Sequence, residues 1–245
     1  MIRLKCTIAY DGSRYAGWQK QINALGIQTV IEQALYKIYG EELTAVSSGR
    51  TDAKVHAWGQ VFHVDVPKDI APDHVKQALN ALLPEDIRIR KVEIVDEQFH
   101  ARFSAVRKRY DYLCTFDADD PFAVRYKQIL YRELNVQKMI EASQYLIGTH
   151  DFTTFASSHI HPLKPRVKTV EQIELVQENK DLRTIFVGNG FLRYQVRMMM
   201  QTLIEVGKGH LEPIAVKEML EAKDKEACRY NAPAQGLYLM RVDYE

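Results

Sequence analysis

The sequence predicts an α+β protein of two similar ferredoxin-like halves, with largely antiparallel sheets that join, helices flanking them and a cleft between the halves. Three observations lead there. Residues 2–95 alternate the apolar periods of strand, helix, strand, helix, strand; the residues from Lys108 onward repeat a similar order less regularly; and Phe99 to Ser104 falls between the two runs. The halves are therefore 1–100 and 101–245. A chain of 245 residues, 46% hydrophobic, buries a core large enough for one big domain or two of about 120 residues.

In the first half, Ile2 to Tyr10 alternates apolar and polar residues as a strand does, and Asp11-Gly12-Ser13 turns the chain. Tyr15 to Gln19 is a short aromatic loop in which Trp18 reads as a core plug. From Gln28 to Tyr39, the residues Val30, Ile31, Ala34, Leu35 and Ile38 recur at helical spacing, and the helix ends near Gly40. Gln60 to Val66 reads as a strand with His63 an ordinary member of it. Pro72 to Leu83 is a second helix, striped by Val75, Leu79 and Leu82, and Ile87 to Val95 another strand. In the second half, Lys108 to Phe116 reads as a strand and Val136 to Leu146 as a helix. Lys168 to Val176 and Leu182 to Val187 pair as a hairpin around Glu178 to Asp181. Phe191 to Val206 is a long apolar helix and Gly236 to Val242 a closing strand.

The stretch Ser47 to Trp58 fits neither period. It packs Arg50, Thr51, Asp52 and His56 behind the small residues Ser47, Ser48 and Gly49, which let a backbone come close to something. In an extended chain Arg50 and Asp52 point to the same side. A guanidinium beside a carboxylate favours its ionised form, and an ionised Asp on a loop is a candidate nucleophile or base. Taken alone, an Asp after Thr is more often a turn former or a helix N-cap.

Composition narrows the function classes. A net charge of +1 argues against a strongly electrostatic nucleic-acid binder, so any RNA contact has to come from local clusters. Arg102, Arg107, Lys108 and Arg109 form one, Arg125, Lys127 and Arg132 another, and Lys164, Arg166 and Lys168 a third; each reads equally well as a solvated face. Cys6, Cys114 and Cys228 lie far apart, which excludes a disulfide framework and a Cys-x-x-Cys metal pair. The absence of a long apolar run and of a signal-peptide block predicts a soluble, cytoplasmic chain with no membrane segment. His159 and His161 invite a metal reading but lack a matched third ligand, so no metal is expected.

Two stretches of the second half carry further chemistry. Tyr110 and Tyr112 point the same way along a strand behind basic residues, a pattern that suits base stacking beside phosphates and, as often, the packing of a sheet face. Arg193 and Arg197 share one face at the start of the long helix, where one of them snorkels out of an otherwise buried element.

Gly49 to Ala57, reading GRTDAKVHA, resembles the GRTDxGVHA signature of the tRNA pseudouridine synthases of the TruA family, with Lys54 where the family usually has Gly. Ile8 to Gln21 resembles the family's opening AYDGxxxxGWQxQ, and Lys108 to Tyr112 its (K/R)xYxY. Phe191 onward is similar to FLxxxVRxxxxxL, with Met198 and Gln201 in place of the usual Asn and Gly. Gly148 to Phe152 and Ala232 to Leu239 match GxHDFxxF and APxxGLYL. The resemblance spans essentially the whole chain and implies ferredoxin- or RRM-like halves.

It also implies roles. Asp52 is the catalytic residue and Tyr110 stacks on the target base. Leu237 lines the base pocket, and Arg50 and Arg197 are the two candidate partners of the Asp52 charge, Arg197 the favoured one. The implied reaction converts uridine to pseudouridine in the anticodon stem-loop of tRNA, at positions 38–40, without metal or cofactor, in a homodimer. An anionic Asp52 can attack either the sugar or the uracil ring. If the usual Gly at position 54 serves a positive φ, Lys54 is strained there. A tRNA-binding paralogue with weak or no catalysis and a carboxylate-dependent N-glycoside hydrolase are the rival readings.

Overall fold

The computed structural model describes residues 1–158 and 165–245, and the chain forms two compact units. The first comprises Met1–Val106 with Tyr238–Glu245, the second Arg107–Leu237. His159 and His161 lie outside the described residues. Among the described residues no group of three or more His, Cys, Asp or Glu is placed to hold a metal ion, and no helix is long and apolar enough to cross a membrane.

The first unit follows the alternation of its sequence closely. Strand β1 (Ile2–Tyr10) buries Leu4, Cys6, Ile8 and Tyr10 on one face. Helix α1 (Ile27–Tyr39) buries Ile27, Ile31, Ala34 and Leu35, and Gly40 ends it in the left-handed region at φ +76°. The two-residue strand β2 (Val46–Ser47) precedes β3 (His56–Val66), α2 (Pro72–Leu82) and β4 (Ile87–Val95). Pro72 stands in the first turn of α2, where its missing N–H has no helical partner to lose. Antiparallel pairs β4 with β1, β1 with β3 and β3 with β2 give the order 4-1-3-2 of a ferredoxin-like unit. Strand β3 starts four residues earlier than its apolar run, because Ala57 pairs with Tyr10 and both His56 and Ala57 pair with the closing strand of this unit. His63 is more than an ordinary strand residue. Its buried ring accepts the Ala101 N–H at Nδ1, 3.1 Å away, and burial pulls its pKa down to about 4.

In the second unit, β5 (Ala105–Thr115) pairs antiparallel with β9 (Asp181–Gly188), and β9 with β8 (Val167–Glu178). Strand β7 (Gly148–Asp151) extends β8, and the two-residue β6 (Gln128–Ile129) runs parallel to β5. The β8–β9 hairpin turns at Asn179-Lys180, with Asn179 at φ +54°, a conformation Asn tolerates better than most residues. Helix α3 (Val136–Gln144) packs on α4 (Gln195–Gly207) and α5 (Pro213–Ala222). Helix α4 begins four residues later than the apolar pattern predicts, because Tyr194 sits at φ +68° and cannot continue a helix backward. The closing strand β10 (Leu237–Tyr244) runs, through Tyr238 and Leu239, parallel to β3 in the first unit.

Candidate active site

Asp52 stands in the first unit at the head of a tight turn, half-buried, with Thr51 buried before it and Ala53 and Lys54 exposed after it. The Val55 N–H returns to the Asp52 carbonyl at 3.1 Å and closes the turn. Lys54 occupies its third position at φ +66°, where turns of this kind take Gly. The strain expected from Lys in place of Gly is therefore present. Lys54→Gly is expected to raise stability by about 0.5 kcal/mol, the relief of a left-handed side chain less the added freedom of the unfolded chain. The urea midpoint checks this, and a lower midpoint would contradict it.

The turn is held from behind by the opening segment of the chain. Thr51 Oγ1 lies 2.8 Å from the buried Tyr10 hydroxyl, the Trp18 N–H donates to the Thr51 carbonyl at 3.2 Å, and the Lys54 N–H donates to the Tyr15 carbonyl at 3.2 Å. Upstream, Ser48 donates to Gln60 at 2.6 Å, and Gln60 donates to the Gly49 carbonyl at 2.9 Å. Trp18 plugs the core at 2% exposure, its ring 5.9 Å from that of Phe62. Two glycines make this approach possible. A Cβ on Gly17, whose φ is +88°, would stand 2.9 Å from the Asp52 carbonyl carbon; one on Gly12 would stand 2.6 Å from that of Val55. Both distances are closer than real side chains come, so the backbone of the Asp52 turn lies where only glycine leaves room.

Gly17→Ala is expected to destabilise the fold by about 2–4 kcal/mol and to displace the Asp52 turn. Thermal unfolding checks it; an unchanged melting temperature would contradict the packing described here.

His56, the imidazole of the same stretch, is structural. It is 2% exposed, accepts the Gly12 N–H at Nδ1 at 3.1 Å, and stacks on Tyr238 with ring centroids 4.6 Å apart and 17° between planes. Arg50 is exposed and makes no ion pair among the described residues. The sequence motifs thus meet physically within this unit: the opening segment backs the Asp52 turn, and His56 ties both to the closing strand.

The other residues singled out in the sequence lie in the second unit. Tyr110 is half-buried on β5, its ring edge-on to Phe191 at 5.4 Å and 88°. Tyr112, two residues on, is fully buried; its hydroxyl lies 2.7 Å from the Pro233 carbonyl and its ring fills the space over Gly236. Of the basic residues before them, Arg107 pairs with Glu171 at 2.6 Å. Arg109 holds the buried Asp111 in a fork of 2.7 and 2.8 Å, so neither is a bare phosphate ligand.

Arg197 is half-buried in the first turn of α4 and donates from Nε to the Ala232 carbonyl at 2.7 Å, while Ala232 N–H returns to the Arg197 carbonyl at 3.0 Å. Its guanidinium lies over the Tyr194 ring, 5.1 Å from the centroid. Leu237 is buried at 5% exposure beside the turn of Ala234–Gly236.

A fold of ferredoxin-like units carrying this Asp turn defines a class, and the comparisons name it: the chain belongs to the tRNA pseudouridine synthase family, whose model matches residues 7–104 and 142–245. Relatives called tRNA pseudouridine synthase A resemble it end to end. The Exiguobacterium sp. protein is 42% identical over 245 residues, covering 100% of this chain and 99% of its own. Those of Oceanobacillus iheyensis and Bacillus subtilis are each 44% identical across 100% of this chain and 98% and 100% of theirs.

Proposed function

We propose that the chain is a tRNA pseudouridine synthase whose single catalytic carboxylate is Asp52. The observation that carries this reading is the Asp52 turn itself, an acid on a tight turn braced by two glycines and a buried tyrosine, in a chain 42–44% identical end to end to proteins of that name. In the reaction the uridine N1–C1′ bond breaks and the uracil turns over. A C1′–C5 bond then forms, C5 gives up its hydrogen as a proton, and N1 takes one up. Substrate and product are isomers, so no oxidant, reductant or metal enters the balance. Asp52 acts as the nucleophile.

The target nucleotide has to leave its stack, which costs a few kcal/mol. Tyr110, steadied by the edge of Phe191, offsets part of that by stacking on the extruded base. Leu237 lines the base pocket, Arg197 is the cation for the Asp52 charge, and Arg50 contacts the substrate. Residues 1–100 thereby carry the catalytic turn, and residues 101–245 the stacking tyrosine and basic helix. The substrate site is the anticodon stem-loop at positions 38–40, the working form is a homodimer and the setting is the cytoplasm, all in line with the family resemblance.

Tritium at uracil C5 reports the reaction, because isomerisation releases it to water, binding alone keeps it on the RNA and hydrolysis frees labelled uracil. The chain is expected to release tritium from labelled tRNA without free uracil. Retained label or free uracil would overturn the reading.

A further inference from the structure

The stretch from Phe99 to Ser104, in the first unit, is fastened more heavily than a connection needs. Arg3 donates to the Phe99 carbonyl at 2.9 Å while forking onto Asp65 at 2.7 Å. His63 takes the Ala101 N–H at 3.1 Å, and the Tyr244 hydroxyl donates to the Ala101 carbonyl at 2.7 Å, so Ala101 is wholly buried. His100 Nδ1 accepts the N–H groups of Arg102 and Phe103 at 3.1 and 3.2 Å, and Ser104 Oγ accepts that of His100 at 2.9 Å. This scaffold lifts two side chains into solvent. Phe103 is 76% exposed, and Arg102 lies over its ring with the guanidinium carbon 5.4 Å from the centroid. His100 backs the ring at 4.3 Å. Among the described residues the Arg102 side chain has no carboxylate partner.

A single exposed Phe needs no explanation by itself. Here, though, the turn is rigid, the ring is held by an imidazole on one side, and an unneutralised cation sits beside it. An apolar partner would gain from the ring and lose from the arginine; a nucleic acid gains from both, through base or ribose stacking and phosphate contact.

We infer that this turn is a second RNA contact, apart from the Asp52 turn, at which Phe103 stacks on an exposed base or ribose of the tRNA and Arg102 meets an adjoining phosphate. The inference rests on the tRNA reading above and adds to it a second hold on the tRNA.

The test is equilibrium binding of unmodified tRNA transcript to the full chain at several salt concentrations, together with tritium release, sedimentation and thermal unfolding. Phe103→Ala is expected to weaken binding about tenfold, the loss of one stacked base. Phe103→Trp should restore binding, and Arg102→Gln should reduce the salt slope by about one phosphate. The KM for tRNA should rise with Kd in Phe103→Ala, with the melting temperature unchanged.

Wild-type affinity in Phe103→Ala, while the wild-type chain binds tRNA and releases label, overturns this inference alone. An altered sedimentation coefficient with unchanged affinity also overturns it, by making the turn a contact between copies. A wild-type chain that neither binds tRNA nor releases label overturns the tRNA reading and this inference with it.

Discussion

Asp52→Ala is expected to lower tritium release from C5-labelled tRNA by about 10⁴-fold or more, the order seen when a covalent nucleophile is removed from an enzyme. The fold should survive. Asp52 is half-buried and the turn closes through backbone: the Asp52 carbonyl receives the Val55 N–H, and the neighbouring contacts run through Thr51 and Lys54. An alanine keeps all of these backbone contacts. The backbone turn is therefore expected to persist, and tRNA affinity to change less than the rate. Equal release of label by wild type and Asp52→Ala would remove the carboxylate from the mechanism, whatever the chain's family.

The second large effect is at Arg197. The side chain has a visible structural duty, one N–H of its guanidinium to the Ala232 carbonyl at 2.7 Å. Loss of such a bond from a charged donor costs about 1.5–3 kcal/mol at most. If structural contacts such as this one and the stacking on Tyr194 were its whole role, Arg197→Met would lose activity only in step with stability. The proposed role as the cation for the catalytic charge predicts more. Turnover should fall about 100-fold, as when one preorganised electrostatic group is taken from a reacting centre, while most molecules remain folded at assay temperature. Single-turnover rates and thermal unfolding on the same preparation separate the two. Parallel losses of activity and melting temperature would assign Arg197 to the core.

Much of this was legible in the chain, and the reasons are physical. Strand β1 is legible to the residue because it alternates cleanly against one buried face, and β4 through Ile87 and Ile89, although its alternation breaks at Arg90 and Lys91 before Val92 is buried. Helix α1 announced both its stripe and its glycine stop. The start of α4 is not legible, because Phe191 and Leu192 before the helix and Val196 within it continue one apolar pattern, and nothing in that spacing marks Tyr194 as left-handed. The two-residue strands β2 and β6 and the four-residue β7 are too short to have a period, and exist only through their pairing. Helix α5 carries a signal in the chain, Pro213 at its first turn followed by the buried Val216 and Leu220.

At the site, Asp52 stood out because acid, cation, hydroxyl and small residues crowd one short stretch. The reason for Gly12 and Gly17 was not readable, since their constraint is a contact with residues far along the chain. His56 looked chemical and is structural, because burial and the Gly12 and Tyr238 contacts decide its role. The basic residues around Tyr110 suit phosphate contact in sequence; the carboxylates that occupy Arg107 and Arg109 come from β8 and from Asp111, two residues on along β5.

The account's central claim is that one negative charge on a glycine-braced turn performs the isomerisation. It is tested most directly by Asp52→Asn, which keeps the shape and removes the charge, with nucleoside analysis of the tRNA after a single turnover. The account predicts tRNA bound by the variant and no pseudouridine formed. Pseudouridine appearing at a rate within tenfold of the wild type would contradict it.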